Sequence, residues 1–167
     1  MGLDAESPPG RALEAMGGAL PTPANGEFRG KAHCFPLRVY FEDTDVAGIV
    51  YYANYLRFCE RARSDMLRAV GIDQRATLEA GEGVYAVAEA AIKYRTPARL
   101  GDDLLIVTTI RRIRAASVLI HQRVMRGEES VADATVTAAF LTLDGRPQRQ
   151  PRAWVEIFER LVEEGQE

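Results

Sequence analysis

The stretch Arg38–Tyr55, RVYFEDTDVAGIVYYANY, joins an extended apolar strand to the start of a long helix, and the rest of the chain is read outward from it. Over Cys34–Glu42, Phe35, Leu37, Val39 and Phe41 alternate with more polar neighbours, the period of a half-buried strand. From about Ala53 to Val70, Tyr55, Cys59, Ala62, Met66 and Ala69 or Val70 recur at helical spacing and form one apolar stripe. Arg57, Glu60, Arg61, Ser64, Asp65 and Arg68 take the other faces. Asn54 is the candidate N-cap, and Gly71 suits a left-handed turn just past the helix end. The loop Asp43–Val50 lies between strand and helix, so that Glu42, Asp43 and Asp45 gather near the helix front. The free N–H groups of a first helical turn, with the helix dipole behind them, favour negative charge. A carbonyl that becomes an oxyanion during reaction finds donors in such a place, and a nearby aspartate can attack it or activate water against it. The residues alone thus permit an acyl-transfer site and do not single it out.

Downstream, a short helical turn within Gln74–Glu82 is followed by four strand-like segments: Val84–Tyr94, Asp103–Ile113, Ser117–Arg126 and Ser130–Leu143. Gly127-Glu128-Glu129 reads as a hairpin connection between the last two. Pro151 opens a final helix, Arg152–Val162, with Trp154, Ile157, Phe158 and Leu161 on its apolar side. Four successive strands with short links predict an α+β fold with a mostly antiparallel five-stranded sheet, not a doubly wound parallel one. The single long amphipathic helix needs covering, and a curved sheet can wrap it. Residues 1–30 hold Pro8, Pro9, Pro21 and Pro23 among glycines and alanines and read as a flexible tail, leaving 31–167 as one domain.

Composition narrows the classes. A hydrophobic share of 47% with 27% charged residues suits an ordinary globular domain. A formal charge of −3 leaves no basic footprint for nucleic acid. No apolar stretch approaches the ~20 residues that cross a bilayer, and no signal-peptide core follows the amino terminus. Cys34 and Cys59, expected on a strand and on a helix, suggest neither a disulfide scaffold nor a metal knuckle and fit a reducing cytoplasm. Serine hydrolase and zinc machinery are missing: there is no Gly-x-Ser-x-Gly elbow, and His33 and His121 stand far apart without metal-ligand spacing.

Arg38-Val39, Thr44-Asp45, Gly48-Ile49-Val50 and Tyr55 resemble the active-site signature of the 4-hydroxybenzoyl-CoA thioesterase family of hotdog-fold enzymes. Asn54-Tyr55-Leu56, Glu60-Arg61-Ala62-Arg63 and the run Lys93–Asp102 are similar to the acyl-CoA thioesterases associated with the bacterial Tol–Pal system. The likeness runs in order from Phe35 to Leu161. One position departs: Tyr52 stands where Tol–Pal-associated members often carry histidine.

The resemblance implies a sheet curved around one long central helix, with a short C-terminal helix. It also implies a homodimer or homotetramer with sites at subunit boundaries, and hydrolysis of an acyl-CoA to a free acid and coenzyme A without metal or redox cofactor. Asp45 would be the nucleophile or general base, and the amide of Tyr52 the carbonyl contact. Gly48 and Tyr51 would flank the substrate, and Arg114 with Ser117 would meet the coenzyme A phosphates. A thioester suits one carboxylate because its leaving thiolate, from a thiol of pKa near ~8.5, needs little protonation. An acyl carrier protein donor stays open. So do two rival readings, a hotdog dehydratase and a non-catalytic module that binds acyl-CoA or acyl carrier protein.

Overall fold

The computed structural model describes residues 23–163. Six strands form one antiparallel sheet: β1 (Glu27–Arg29), β2 (Ala32–Arg38), β3 (Val84–Tyr94), β4 (Asp103–Arg114), β5 (Ser117–Arg126) and β6 (Glu129–Leu141). Their spatial order is β1-β2-β4-β5-β6-β3. Three helices complete the fold: α1 (Asn54–Ala69), α2 (Gln74–Glu79) and α3 (Arg152–Leu161). The expected sheet of five strands gains a sixth, because β1 lies inside the segment expected as tail and pairs with Ala32–Cys34. The remainder of that expected tail, residues 1–22, lies outside the described residues.

Helix α1 crosses the inner face of the sheet and packs on β2, β4 and β5. Its apolar side buries Tyr55, Phe58, Cys59, Ala62, Met66 and Leu67. Burying a side chain the size of Phe58 contributes roughly 1.5–3 kcal/mol, so Phe58→Ala is the single change that would most damage this contact. The core has two lobes. One gathers Tyr55, Phe58 and Cys59 with Val39, Leu104 and Val131. The other gathers Met66, Leu67 and Ile72 with Ile110, Ile120 and Phe158 of α3.

Helix α1 ends as the sequence indicates. Gly71 takes φ 80°, where a side chain is strained, and the N–H of Ile72 reaches back to the carbonyl of Leu67 at 2.9 Å. Its start differs: Ala53 is the cap, and the Asn54 amide instead donates to the carbonyl of Asp43 at 2.9 Å. The first strand also stops short of Glu42. Val39 still pairs, its N–H donating to Asp102 O, but Phe41–Asp43 turn into a 3-10 helix closed by the Asp43 carboxylate on the N–H of Tyr40. Phe41 is therefore 81% exposed, not alternating into the sheet. Pro36 sits within β2 without harm, because β1 covers only Ala32–Cys34 and the missing N–H faces the open edge.

Asp65 is not on a solvated face. It is 3% exposed, accepts a hydrogen bond from the N–H of Gly26 at 2.8 Å, and stands 3.1 Å from Nε2 of the fully buried His33. The His33 contact lacks hydrogen-bond alignment, so it is an approach of charge to ring and not a well-formed bond. Burial lowers the His33 pKa, and the Asp65 carboxylate opposes that shift in part.

Candidate active site

The loop that follows the 3-10 turn is held as a small three-stranded ladder. Thr44 pairs with Val50 and Ile49 pairs with Arg99, while Val50 N–H donates to Ala98 O at 2.8 Å. Asp45 N–H donates to Ile49 O and Gly48 N–H to Asp45 O, both at 2.9 Å. Gly48 closes the turn at φ 71°, a conformation L side chains rarely adopt. One Asp45 carboxylate oxygen accepts from the N–H of Ala47 at 2.8 Å; the side chain is otherwise exposed.

The 95–102 segment backs this ladder. Tyr55, 3% exposed on α1, accepts the N–H of Ala98 on its hydroxyl at 3.0 Å, so the loop, the segment behind it and the helix are tied in one place. The Asp102 carboxylate accepts from the N–H of Arg99 at 2.9 Å and from Arg126 at 2.7 Å. Those contacts, the backbone N–H foremost, hold its pKa below the ordinary carboxylate range.

The helix front presents donors. Tyr51 N–H bonds back to Asp43 O and Asn54 N–H to Tyr51 O, but the N–H of Tyr52 meets no acceptor among the described residues. Its carbonyl is anchored by the Tyr94 hydroxyl at 3.0 Å. The rings of Tyr51 and Tyr52 lie 4.8 Å apart, 47% and 60% exposed, so both are free to line a ligand.

Asp45 and this donor sit on one tethered loop. Asp43 is the acid abreast of Tyr51, and Asp45 stands two residues further out, abreast of Ile49. Arg114 and Ser117 are further removed. They face each other across the β4–β5 turn, at the opposite end of β4 from the Arg38–Asp103 pair that lies near the loop. Eleven residue-to-residue steps along β4 take the chain from Asp103 to Arg114, a span of about 36 Å at ~3.3 Å each. The turn is closed by Gln150, whose side-chain amide donates to Arg114 O at 2.7 Å. Arg114 and Ser117 line a cavity of about 200 Å³ with Arg112, Leu119, Thr137 and Glu89. Arg112 was missed in the sequence, although its two-residue offset from Arg114 signals one strand face. The row Arg112, Leu119, Thr137 and Glu89 runs through paired positions from β4 to β3, the outer strand of the sheet.

Among the described residues, no three His, Cys, Asp or Glu side chains gather as a metal site, and no helix is long and apolar enough to cross a membrane. The antiparallel sheet around one central helix, with an acid loop at the helix front, is the hotdog arrangement of acyl-thioester enzymes. A family model described as the thioesterase-like superfamily matches residues 39–161, and the chain belongs to that superfamily. The acyl-CoA thioesterase YbgC of Haemophilus influenzae is 41% identical over 109 residues, covering 65% of this chain and 80% of that protein. A probable thioesterase from Bartonella henselae superposes with a TM-score of 0.68 at 35% identity, covering 72% of this chain and 99% of that one. A 4-hydroxybenzoyl-CoA thioesterase solved with 4-hydroxybenzoyl-CoA gives a TM-score of 0.70 at 25% identity, covering 76% and 98%.

Proposed function

We infer that the protein hydrolyses an acyl-CoA thioester at a site completed by a second copy of the chain. The observation that carries this reading is the pairing, on one tethered loop, of an exposed carboxylate with a main-chain donor that meets no acceptor among the described residues. The thioester carbonyl lies against the N–H of Tyr52, which stabilises the oxyanion as the tetrahedral centre forms. Asp45 either attacks the carbonyl carbon, giving an anhydride that water then opens, or takes a proton from the attacking water. The coenzyme A thiolate departs without a strong general acid. No residue here calls for a metal or redox group. The two free, buried thiols Cys34 and Cys59 fit a cytoplasmic setting.

A single copy leaves this loop open to water, and β3 suggests how it is covered. The strand spans eleven residues at the sheet boundary, with Val87–Ala91 exposed along its length. Such an edge is a template for another strand, and a two-fold pairing satisfies it symmetrically. Antiparallel pairing centred on Glu89 sets Val84 of one copy opposite Tyr94 of the other. Since Tyr94 is bonded to Tyr52, the catalytic loop of each copy then meets the Val84–Val87 stretch of its neighbour. The row from Arg112 and Arg114 to Glu89 reaches the same boundary, and the planar guanidinium groups suit the phosphates of coenzyme A. Pairing two such dimers would give a tetramer.

Asp45→Asn tests the chemistry. Thiol release from a panel of acyl-CoAs should collapse by at least about a hundredfold while the fold and coenzyme A binding persist. Parental turnover in this variant would remove Asp45 from the reaction. Absence of turnover in the parent, with acyl-CoA binding intact, would favour the non-catalytic binding module; acyl carrier protein thioesters belong in the same panel.

A further inference from the structure

Asn54 stands at the front of α1 without serving the helix. Ala53 takes the cap position, no side chain caps the first turn, and asparagine is among the weaker helix formers. The residue is nonetheless only 8% exposed, and its side-chain amide donates back into the loop, to Asp43 O at 2.9 Å. The Tyr51 N–H donates to the same oxygen at 2.9 Å. Asp43 O therefore accepts twice, one hydrogen bond for each lone pair of a carbonyl. Asp43 is itself buried and fixed from behind: its N–H donates to Tyr40 O at 3.0 Å, and its carboxylate accepts the Tyr40 N–H at 2.9 Å.

The main chain of Asn54 makes a second link. Its N–H donates to Tyr51 O at 2.8 Å, closing a turn that runs from Tyr51 to Asn54. Tyr51 O and the Tyr52 N–H are the two ends of one peptide unit, which is planar and trans, so they point in opposite directions. A carbonyl drawn toward the start of α1 sends the Tyr52 N–H away from it, and that N–H is the donor that meets no acceptor among the described residues. Asn54 thus grips the loop twice, through its side chain on Asp43 and through its main chain on the peptide that carries the donor. We propose that Asn54 is a positioning residue: by tying Asp43 O to α1 it fixes the direction of the Tyr52 N–H, and with it the place where the thioester carbonyl must lie. The proposal rests on the hydrolase reading above and deepens it. Asp43 and Asn54 are both buried, so water competes weakly for these hydrogen bonds and the donor is aimed before substrate arrives. A donor meant for a developing negative charge works best when it is set in advance in this way.

Asn54→Ala removes the side-chain link and keeps the main-chain one. Asn54→Asp does the same at constant shape, setting an acceptor against the Asp43 carbonyl, and carries the comparison if the alanine variant does not fold. In amide nitrogen relaxation of the ligand-free protein, the Tyr52 order parameter should drop from about 0.85 to below about 0.6 in either variant, while that of Ala98 holds. With butyryl-CoA and benzoyl-CoA as probes, kcat should fall by about ten- to a hundredfold, less than outright loss of the donor, and KM should change by less than about threefold. A merely structural role would lower the melting point and leave the Tyr52 amide and the kcat of the folded protein as they are. An ordered Tyr52 amide in the variants overturns the proposal, and if the parent still cleaves a probe the hydrolase stands without it. A loosened amide with undiminished kcat also overturns it, because the Tyr52 N–H then takes no part in the step. A loosened amide in a protein whose parent cleaves no acyl-CoA sinks the hydrolase reading and leaves only the tie between Asn54 and the Tyr52 peptide.

Discussion

Tyr55→Phe removes one oxygen from the core and nothing from its packing. The ring keeps its neighbours, Phe58 at 6.0 Å and Tyr94 at 5.5 Å between centroids. What is lost is the acceptor for the N–H of Ala98, a residue with 0% exposure that water does not reach. A buried donor left unpaired costs about 1–3 kcal/mol, more than the net gain of forming the bond, because its desolvation is no longer offset. For a domain of this size each kcal/mol moves Tm by about 2–4 °C, so the variant should melt about 2–12 °C below the parent. The damage should also be local. Ala98 carries the carbonyl that accepts from Val50, and its neighbour Arg99 pairs with Ile49, so the amides of Ala98 and Val50 should exchange faster while those of β5 do not. Calorimetry and amide exchange measure the two effects. A Tm within about 1 °C of the parent, with unchanged exchange at Val50, would refute the view that this hydroxyl holds the Thr44–Val50 loop.

Gly48→Ala places a methyl group in open space, since nothing stands within 4 Å of it, yet forces φ 71° on an L residue. The cost of about 1–2 kcal/mol is conformational, and Gly48→Asn should recover part of it in a melting series. His33 is buried with its pKa lowered from 6.5, so below about pH 6.5 the unfolded chain takes up the proton first. Stability is therefore present above that pH and lost as pH falls. The Tm of His33→Gln should decline less than that of the parent between about pH 7 and 5. Ala90→Glu crowds four carboxylates, with Glu89 of both copies, around the inferred two-fold axis. Light scattering should report a shift toward monomer, with turnover falling in parallel.

Much of the fold was legible because periodicity and turn chemistry agree along the chain. The α1 stripe from Tyr55 to Met66 buries as expected, and Gly71 ends the helix in a left-handed conformation that it adopts more cheaply than any residue with a side chain. What was not legible depends on contacts between distant residues. Asp65 reads as solvated on the helix, and only the arrival of His33 and the Gly26 N–H from the first hairpin makes it a core acid. Phe41 alternates correctly for a strand, but Asp43 turns the backbone under it. The candidate site was legible only in part, for a physical reason. Asp45, Gly48, Tyr51 and Tyr52 fall in one short motif on one loop, whereas Arg114 and Ser117 flank the turn at the far end of the twelve-residue strand β4.

The bare edge of β3 has a bearing on how the chain comes into being. Under the inferred two-fold pairing, a newly made copy displays that strand before it has met its twin, and any extended polypeptide nearby can bind there first. Glu89 and Lys93 along it, with the bulge at Val87/Glu89, make a casual match poorer without preventing the intended one. Under the same inferred pairing, dilution acts as a mild denaturant: scarce protein is less durable protein, and the melting point should climb with concentration.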